Sequence, residues 1–304
     1  MRPPGVGMVL NRPFRIAMFI IVGWFVVLGC VFGVYIAHGG SLGPILKALP
    51  WELATIGGAT LGAFLVNNQM PVIKATLSGV GACFKGSKYT KQRYMELLAL
   101  LFDILQKARK EGLMAIEKDV DDPASSPLFR KHATVGGDHH VMEFITDYLR
   151  MMVSGNLNAH EIESLMDSEI ETHHQEAHAP VAAITRVAGA LPAFGIVAAV
   201  LGVVKTMSSV GQPPAVLGAM IGSALVGTFL GILLAYAFAE PLAGLLEQKV
   251  EESGKELQCI KTTLLASMQG YAPQVAIEFG RKVLTSTTRP TFAELEAHVK
   301  RKKA

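Results

Sequence analysis

Between Arg186 and Glu240 the sequence has no carboxylate, and Lys205 is its one formal charge. A segment that moved a cation through a membrane unaided would carry its own ionisable group at depth. If these residues span a membrane and pass an ion, the ion-binding acid comes from another protein. Cysteine is also scarce: Cys30, Cys83 and Cys259 stand far apart with no C-x-x-C spacing, which excludes a disulfide framework and a cysteine metal knuckle. Charged residues make up only 17% of the chain against 50% hydrophobic ones, too apolar a balance for an ordinary soluble enzyme. The 28 basic and 25 acidic residues nearly cancel and do not interleave with aromatics, so no nucleic-acid face is expected. There is no H-E-x-x-H, no Gly-rich phosphate loop, no paired carboxylates and no nucleophile set beside a base. The chain reads as no enzyme, with no catalytic residues, no metal and no cofactor.

What the chain has in quantity is long uncharged runs. Residues 1–15 carry Arg2, Arg12 and Arg15 without an acid and read as a basic cytoplasmic N-terminus. Residues 16–37 follow without a charge, longer than the apolar region of a cleaved signal peptide and enough for a retained span. A second run, 53–73, completes a transmembrane hairpin over 16–73. Two more runs, 187–204 and 216–239, form a second hairpin over 187–240, joined by the polar turn KTMSSVGQPPA. Of the 28 basic residues, only Lys47 and Lys205 fall in the two links; the remainder lie on the other side, which puts both termini in the cytoplasm. The expected fold is an all-α integral membrane protein with four transmembrane helices. A large cytoplasmic helical domain, 74–186, lies between spans two and three, and a helical cytoplasmic tail occupies 241–304.

The cytoplasmic block has helical periodicity. Leu97, Leu98, Leu101, Ile104, Leu105 and Ala108 recur at three- and four-residue spacing and make one buried face. A second amphipathic helix starts at Val141 and stops near Gly155. Asn158 stands three residues before Glu161 as a helix cap, opening a helix with Ile162, Leu165, Met166 and Ile170 on one side. Pro180 should bend or end that helix.

Within the second hairpin, Ala188, Pro192, Gly195, Ala199, Gly202 and Thr206 fall on one stripe, where small residues admit a neighbouring backbone. The fourth span carries Gly218 and Gly222 on one side and Gly227 and Gly231 on another, and so is expected to pack between neighbours. Pro192 removes the hydrogen bond to the Ala188 carbonyl; spacing leaves open a static kink or a flexible point. Thr228 either bonds back to its own helix or lines a water-filled path. Arg109 and Glu117, on either side of Gly112, have the composition of ordinary surface charges. His173, His174 and His178 in ETHHQEAH read as a solvated helix face rather than a zinc site.

The stretches GGSLG, SKYTKQRYMELLALL, FITDYLRMMVSGNLNAHEIESLMDSEIETH, LPAFGIVAAVLGVV, GSALVGTFLGILLAY, GYAPQVAIEFGRK and RPTFAELE together resemble the MotA family of flagellar motor stator subunits, which belongs with the TolQ and ExbB proton channel proteins. The resemblance runs from about Ile16 to His298; residues 1–15 depart from it. It implies a bacterial inner-membrane protein that forms a homopentamer around a dimer of MotB, whose single membrane helix supplies the proton-carrying aspartate. It implies that proton flow through this channel drives rotor torque. Residue by residue, Pro192 and Pro241 match the family's two functional prolines and Thr228 matches the threonine facing the partner's aspartate. Arg109 and Glu117 match the charged pair that engages the rotor protein FliG. Ala199 stands where sodium-driven relatives carry threonine, which favours protons over the alternative of a sodium-driven stator of the PomA type. A TolQ- or ExbB-type energiser is a further alternative, which the N-terminal hairpin disfavours.

Overall fold

The computed structural model of the chain describes residues 12–155 and 158–303. Most of segment 1–15, expected as a basic cytoplasmic end, lies outside the described residues. Among the described residues every regular element is a helix. Helix α1 (Arg12–Leu28) runs through a π turn at Gly29–Gly33 into α2 (Val34–Ala37), and α3 (Gly43–Asn67) and α4 (Met70–Cys83) follow. Next come α5 (Lys91–Glu111), a 3-10 turn at Leu113–Ile116, α6 (Glu117–Asp121), α7 (Pro127–Arg130), α8 (Ala133–Gly136) and α9 (His139–Ser154). Then α10 (Ala159–Met207) precedes α11 (Pro214–Leu234), a π turn at Ala235–Ala239 and α12 (Glu240–Met268); α13 (Pro273–Val283) and α14 (Phe292–Lys303) close the order. The chain divides into two compact units, Met1–Gly86 with Ala177–Gln248, and Ser87–Glu176 with Lys249–Ala304.

The first unit holds the apolar helices. Four helical stretches, Ala17–Ala37, Gly43–Asn67, Ala159–Met207 and Pro214–Met268, are long and apolar enough to cross a membrane. Pro44 sits in the first turn of α3, where a missing N–H costs nothing. The helix ends because Asn68 turns extended and its Nδ2 donates to the Phe64 carbonyl at 2.7 Å. The second apolar run of the sequence is therefore two helices, with Asn68 and Gln69 between them and Pro71 opening α4. Ile56 of α3 is fully buried against Leu191 and Ala198 of α10 and Leu230 of α11. Outward side chains such as Phe25, Trp51 and Val66 are 72%, 77% and 90% exposed, an apolar surface that lipid covers and water does not.

The second unit is packed around α5. Thr90 caps that helix, its Oγ1 accepting from Arg93 N at 3.2 Å. The expected face of Leu97, Leu98, Leu101, Ile104 and Leu105 is buried. So are Ala99, Leu100 and Phe102 on the opposite side, because α13 and α14 pack there; α5 is central rather than amphipathic over that stretch. Helix α9 ends at Gly155, whose φ of +70° is the left-handed stop that glycine adopts freely. Asn158 opens α10 as expected: its Oδ1 accepts from Glu161 N at 3.0 Å while Glu161 Oε2 accepts from Asn158 N at 2.9 Å. Ile162, Met166 and Ile170 are buried, but Leu165 is 45% exposed, one position off the stripe that packs. Helix α10 runs through both Pro180 and Pro192 without ending.

Candidate functional site

Backbone meets backbone where α10 crosses α11. A Cβ on Gly195 would fall 2.8 Å from the Gly227 carbonyl oxygen, and one on Gly231 would fall 2.5 Å from the Leu191 carbonyl oxygen. A Cβ on Gly202 would fall 2.6 Å from Ala224 Cβ. Three of the small positions on the expected stripe of α10 thus admit α11 at a distance no larger side chain permits, since Ala199 also takes part: its backbone N lies 3.2 Å from where a Cβ on Gly227 would be. Gly218 and Gly222, on the other side of α11, have nothing of this chain within 4 Å of that position. Helix α11 is filled at Gly227 and Gly231 and open at Gly218 and Gly222, although further along that second side Phe229 packs on Phe32 with ring centroids 5.8 Å apart.

The residues singled out in the sequence gather unequally. Pro192 lies next to Leu191, whose carbonyl rests on Gly231, and Ala199 packs on Gly227, the neighbour of Thr228. Pro192 and Thr228 are half-buried and Pro241 is exposed. Pro241 sits in the first turn of α12, directly after the π turn at Ala235–Ala239. A proline ring collides with the carbonyl four residues earlier, here that of Ala237, and the widened π turn accommodates it. Nothing in spacing or composition signals that turn.

One group in this region escaped the sequence reading. The second apolar run, 53–73, starts one residue past Glu52, whereas α3 begins at Gly43 and places Glu52 in its third turn. The Glu52 Oε2 atom lies 2.7 Å from the position a Cβ on Gly227 would take, shut off from solvent and without a hydrogen-bond partner. An acid next to a long apolar run, in a helix whose one other charge is Lys47, is the available signal.

In the second unit Arg109 closes α5 and Glu117 opens α6, both exposed, with Gly112 at φ +89° between them. Arg109 borders a surface recess with Leu113, Met152, Met268 and Tyr271, and Glu117 borders another with Met114, Asp121 and Arg150. Both charges face solvent. His173 and His174 are half-buried rather than on a solvated face: the His173 ring stacks on His140 with centroids 4.6 Å apart, and His174 Nε2 lies 3.8 Å from Glu251 Oε1.

Beneath that surface is an ion-pair network that the sequence did not reveal. Arg93 donates from Nε to Glu256 Oε1 at 2.6 Å and from Nη2 to Glu256 Oε2 at 3.0 Å, and Nη2 also reaches Asp138 Oδ2 at 2.7 Å. His132, fully buried, lies between Glu96 Oε2 at 3.3 Å and Asp103 Oδ2 at 3.2 Å. Burial alone would push the Asp103 carboxyl up, but hydrogen bonds from His132 and Lys131 outweigh it and hold it below the ordinary carboxylate value. Asp138 is held low in the same way, burial being outweighed by hydrogen bonds and charge from Lys88 and Arg93.

A glycine-packed helix pair, with Pro192 inside α10 and Pro241 just past the π turn that follows α11, in a chain with four helices long and apolar enough to cross a membrane, defines a multi-pass membrane subunit. In agreement, the model of the MotA/TolQ/ExbB proton channel family matches residues 137–259, and that of the motility protein A N-terminal region matches residues 21–112. The chain belongs to the motility protein A family. It is 50% identical over 283 residues to motility protein A of Salmonella typhimurium, covering 93% of this chain and 95% of that one, and equally so to motility protein A of Escherichia coli. The solved structure of C. jejuni MotAB shares the fold, with a TM-score of 0.69 at 20% identity over 88% of this chain and 96% of that one. With four apolar helices, the chain is a multi-pass inner-membrane protein.

Proposed function

We propose that this chain is a flagellar motor stator subunit that, with MotB, forms a proton-conducting channel coupling ion flow to rotor torque. The observation that carries the reading is α11, packed on α10 through Gly227 and Gly231 and bare at Gly218 and Gly222. A bare glycine edge in lipid calls for a helix from another chain, and a MotB membrane helix bringing its own aspartate supplies the acid missing between Arg186 and Glu240. Five copies around a MotB dimer, with lipid outside, would give α11 a neighbour on each side.

In this reading 16–73 and 187–240 are the two transmembrane hairpins, 74–186 and 241–304 are cytoplasmic, and both termini face the cytoplasm. Proton entry down the membrane potential, about 2.3 kcal/mol per charge per 100 mV, biases protonation of the MotB acid near Thr228. Pro192 and Pro241, each removing a helical hydrogen bond, let the surrounding helices respond. Arg109 and Glu117 then act on FliG through exposed charge. Ala199, without a hydroxyl at the Gly227 contact, favours protons over sodium.

The test is complementation of a strain deleted for its own motility protein A, with this chain and its MotB expressed together. Swimming should return, should stop when the proton gradient is collapsed, and should persist when sodium is withdrawn. Dependence on sodium would make it a PomA-type stator, and no swimming from an assembled complex would defeat the stator reading.

A further inference from the structure

The Glu52 carboxyl rests on Gly227, at the point where α11 touches Ala198 and Ala199 of α10 and one residue before Thr228. No basic group faces it from either packed helix: α11 carries no titratable residue, and α10 carries none from Val187 to Val204. On its own helix Lys47 is exposed. Glu52 is partly buried, and its Oε2 is shut off from solvent with no hydrogen-bond partner, which disfavours the charged form at that oxygen and favours an arriving cation, the smallest of which is a proton. Two turns further along α3, Thr60 is buried and its Oγ1 also has no partner. That is unusual in this chain. Thr55, Thr76, Thr185 and Thr206 each return their hydroxyl to the carbonyl four residues earlier, at 2.7 to 3.0 Å. The Thr60 hydroxyl is left for something else, and it borders a small cavity shared with Asn67, Asn68 and Arg186. One side of α3 therefore presents an acid, then a free hydroxyl, then a polar cavity.

We propose that Glu52 is a proton-binding site of the ion path, contributed by this chain and acting in series with the acid brought by the partner. The proposal rests on the channel reading above. Glu52 takes up one proton to become the neutral acid and releases it to return to the carboxylate; only an O–H bond forms and breaks. Gly227 leaves the room in which the carboxyl sits, and Thr60 offers a hydroxyl without a partner two turns along the same helix.

The experiment uses the full-length chain in complex with its partner, reconstituted in lipid vesicles. Proton flux under an imposed potential is read with a pH-sensitive dye, and the carbonyl stretch of a protonated carboxyl is read by infrared spectroscopy. In Glu52→Gln the flux should fall about tenfold or more and the carbonyl band should vanish, while Glu52→Asp should retain much of the flux with the band shifted. An assembled Glu52→Gln complex conducting at the wild-type rate would overturn the proposal. So would equal losses in both variants with the wild-type band unchanged, since that is the mark of packing alone. A wild-type complex that passes no protons would instead overturn the channel reading, and the Glu52 band then shows separately whether the group holds a proton.

Discussion

The two units of this chain are built from the same element and held together by different means. In the first, α10 and α11 approach until carbonyl oxygens rest on glycine, and charged residues are sparse. In the second, α5 is buried in leucine, isoleucine and phenylalanine, and Arg93, Glu96, Asp103, Asp138 and Glu256 lie beneath the surface in ion pairs. Where lipid is the solvent, apolar side chains gain nothing by leaving it, and close backbone packing decides which helices meet. Where water is the solvent, burying large side chains drives the fold and ion pairs can be carried inside it if each partner is met.

The contrast breaks most sharply at Gly231. Gly231→Val sets branched carbons where the Leu191 carbonyl lies, so the helices must separate; swimming and co-purification with MotB should both be lost while the second unit keeps its own melting transition. Next is Arg93→Ala, which leaves Glu256 buried and unpaired and should destabilise the second unit by about 3–5 kcal/mol, read by denaturant unfolding. Leu101→Ala should cost about 2–5 kcal/mol there by leaving a cavity, a loss with no counterpart at outward apolar positions such as Val66. A smaller effect separates by pH. Asp103 has its carboxyl held low in the folded state, so its contribution is present above the ordinary carboxylate value and is lost as pH falls through the folded one. The stability gap between the wild type and Asp103→Asn should therefore close on acidification below about pH 4. Smallest in stability is charge reversal of Arg109 or Glu117, expected within about 0.5 kcal/mol, yet either should impair torque measured on tethered cells.

The periodic parts of this fold were legible. Leucine spacing marked α5, and Gly155 with the Asn158 and Glu161 pair marked a stop and a start, because each of these acts within a few residues of itself. The small-residue stripe on α10 was legible too, since the same short period that makes a helix face also makes a seam. The Arg93 and Glu256 pair was not, being 163 residues apart with nothing local to link them. Nor was the burial of Ala99 and Leu100, which depends on where α13 and α14 return. Glu52 is hidden for a different reason: an apolar run begins after its last charge, whereas the helix begins where its backbone does, at Gly43. For Pro192, Thr228 and Pro241 the sequence alone left a kink and a back-bond open, and it was resemblance that attached roles to them.

The bare edge of α11 at Gly218 and Gly222 also bears on how the subunit lives before it is assembled. Acyl chains fill a strip of naked backbone poorly, so a lone copy drifts in the bilayer with one seam improperly solvated, and lateral encounters there are not neutral collisions. In the stator proposed above, supply of this chain and its MotB in step, rather than affinity alone, would govern whether that seam closes on its intended neighbour or on a stray one.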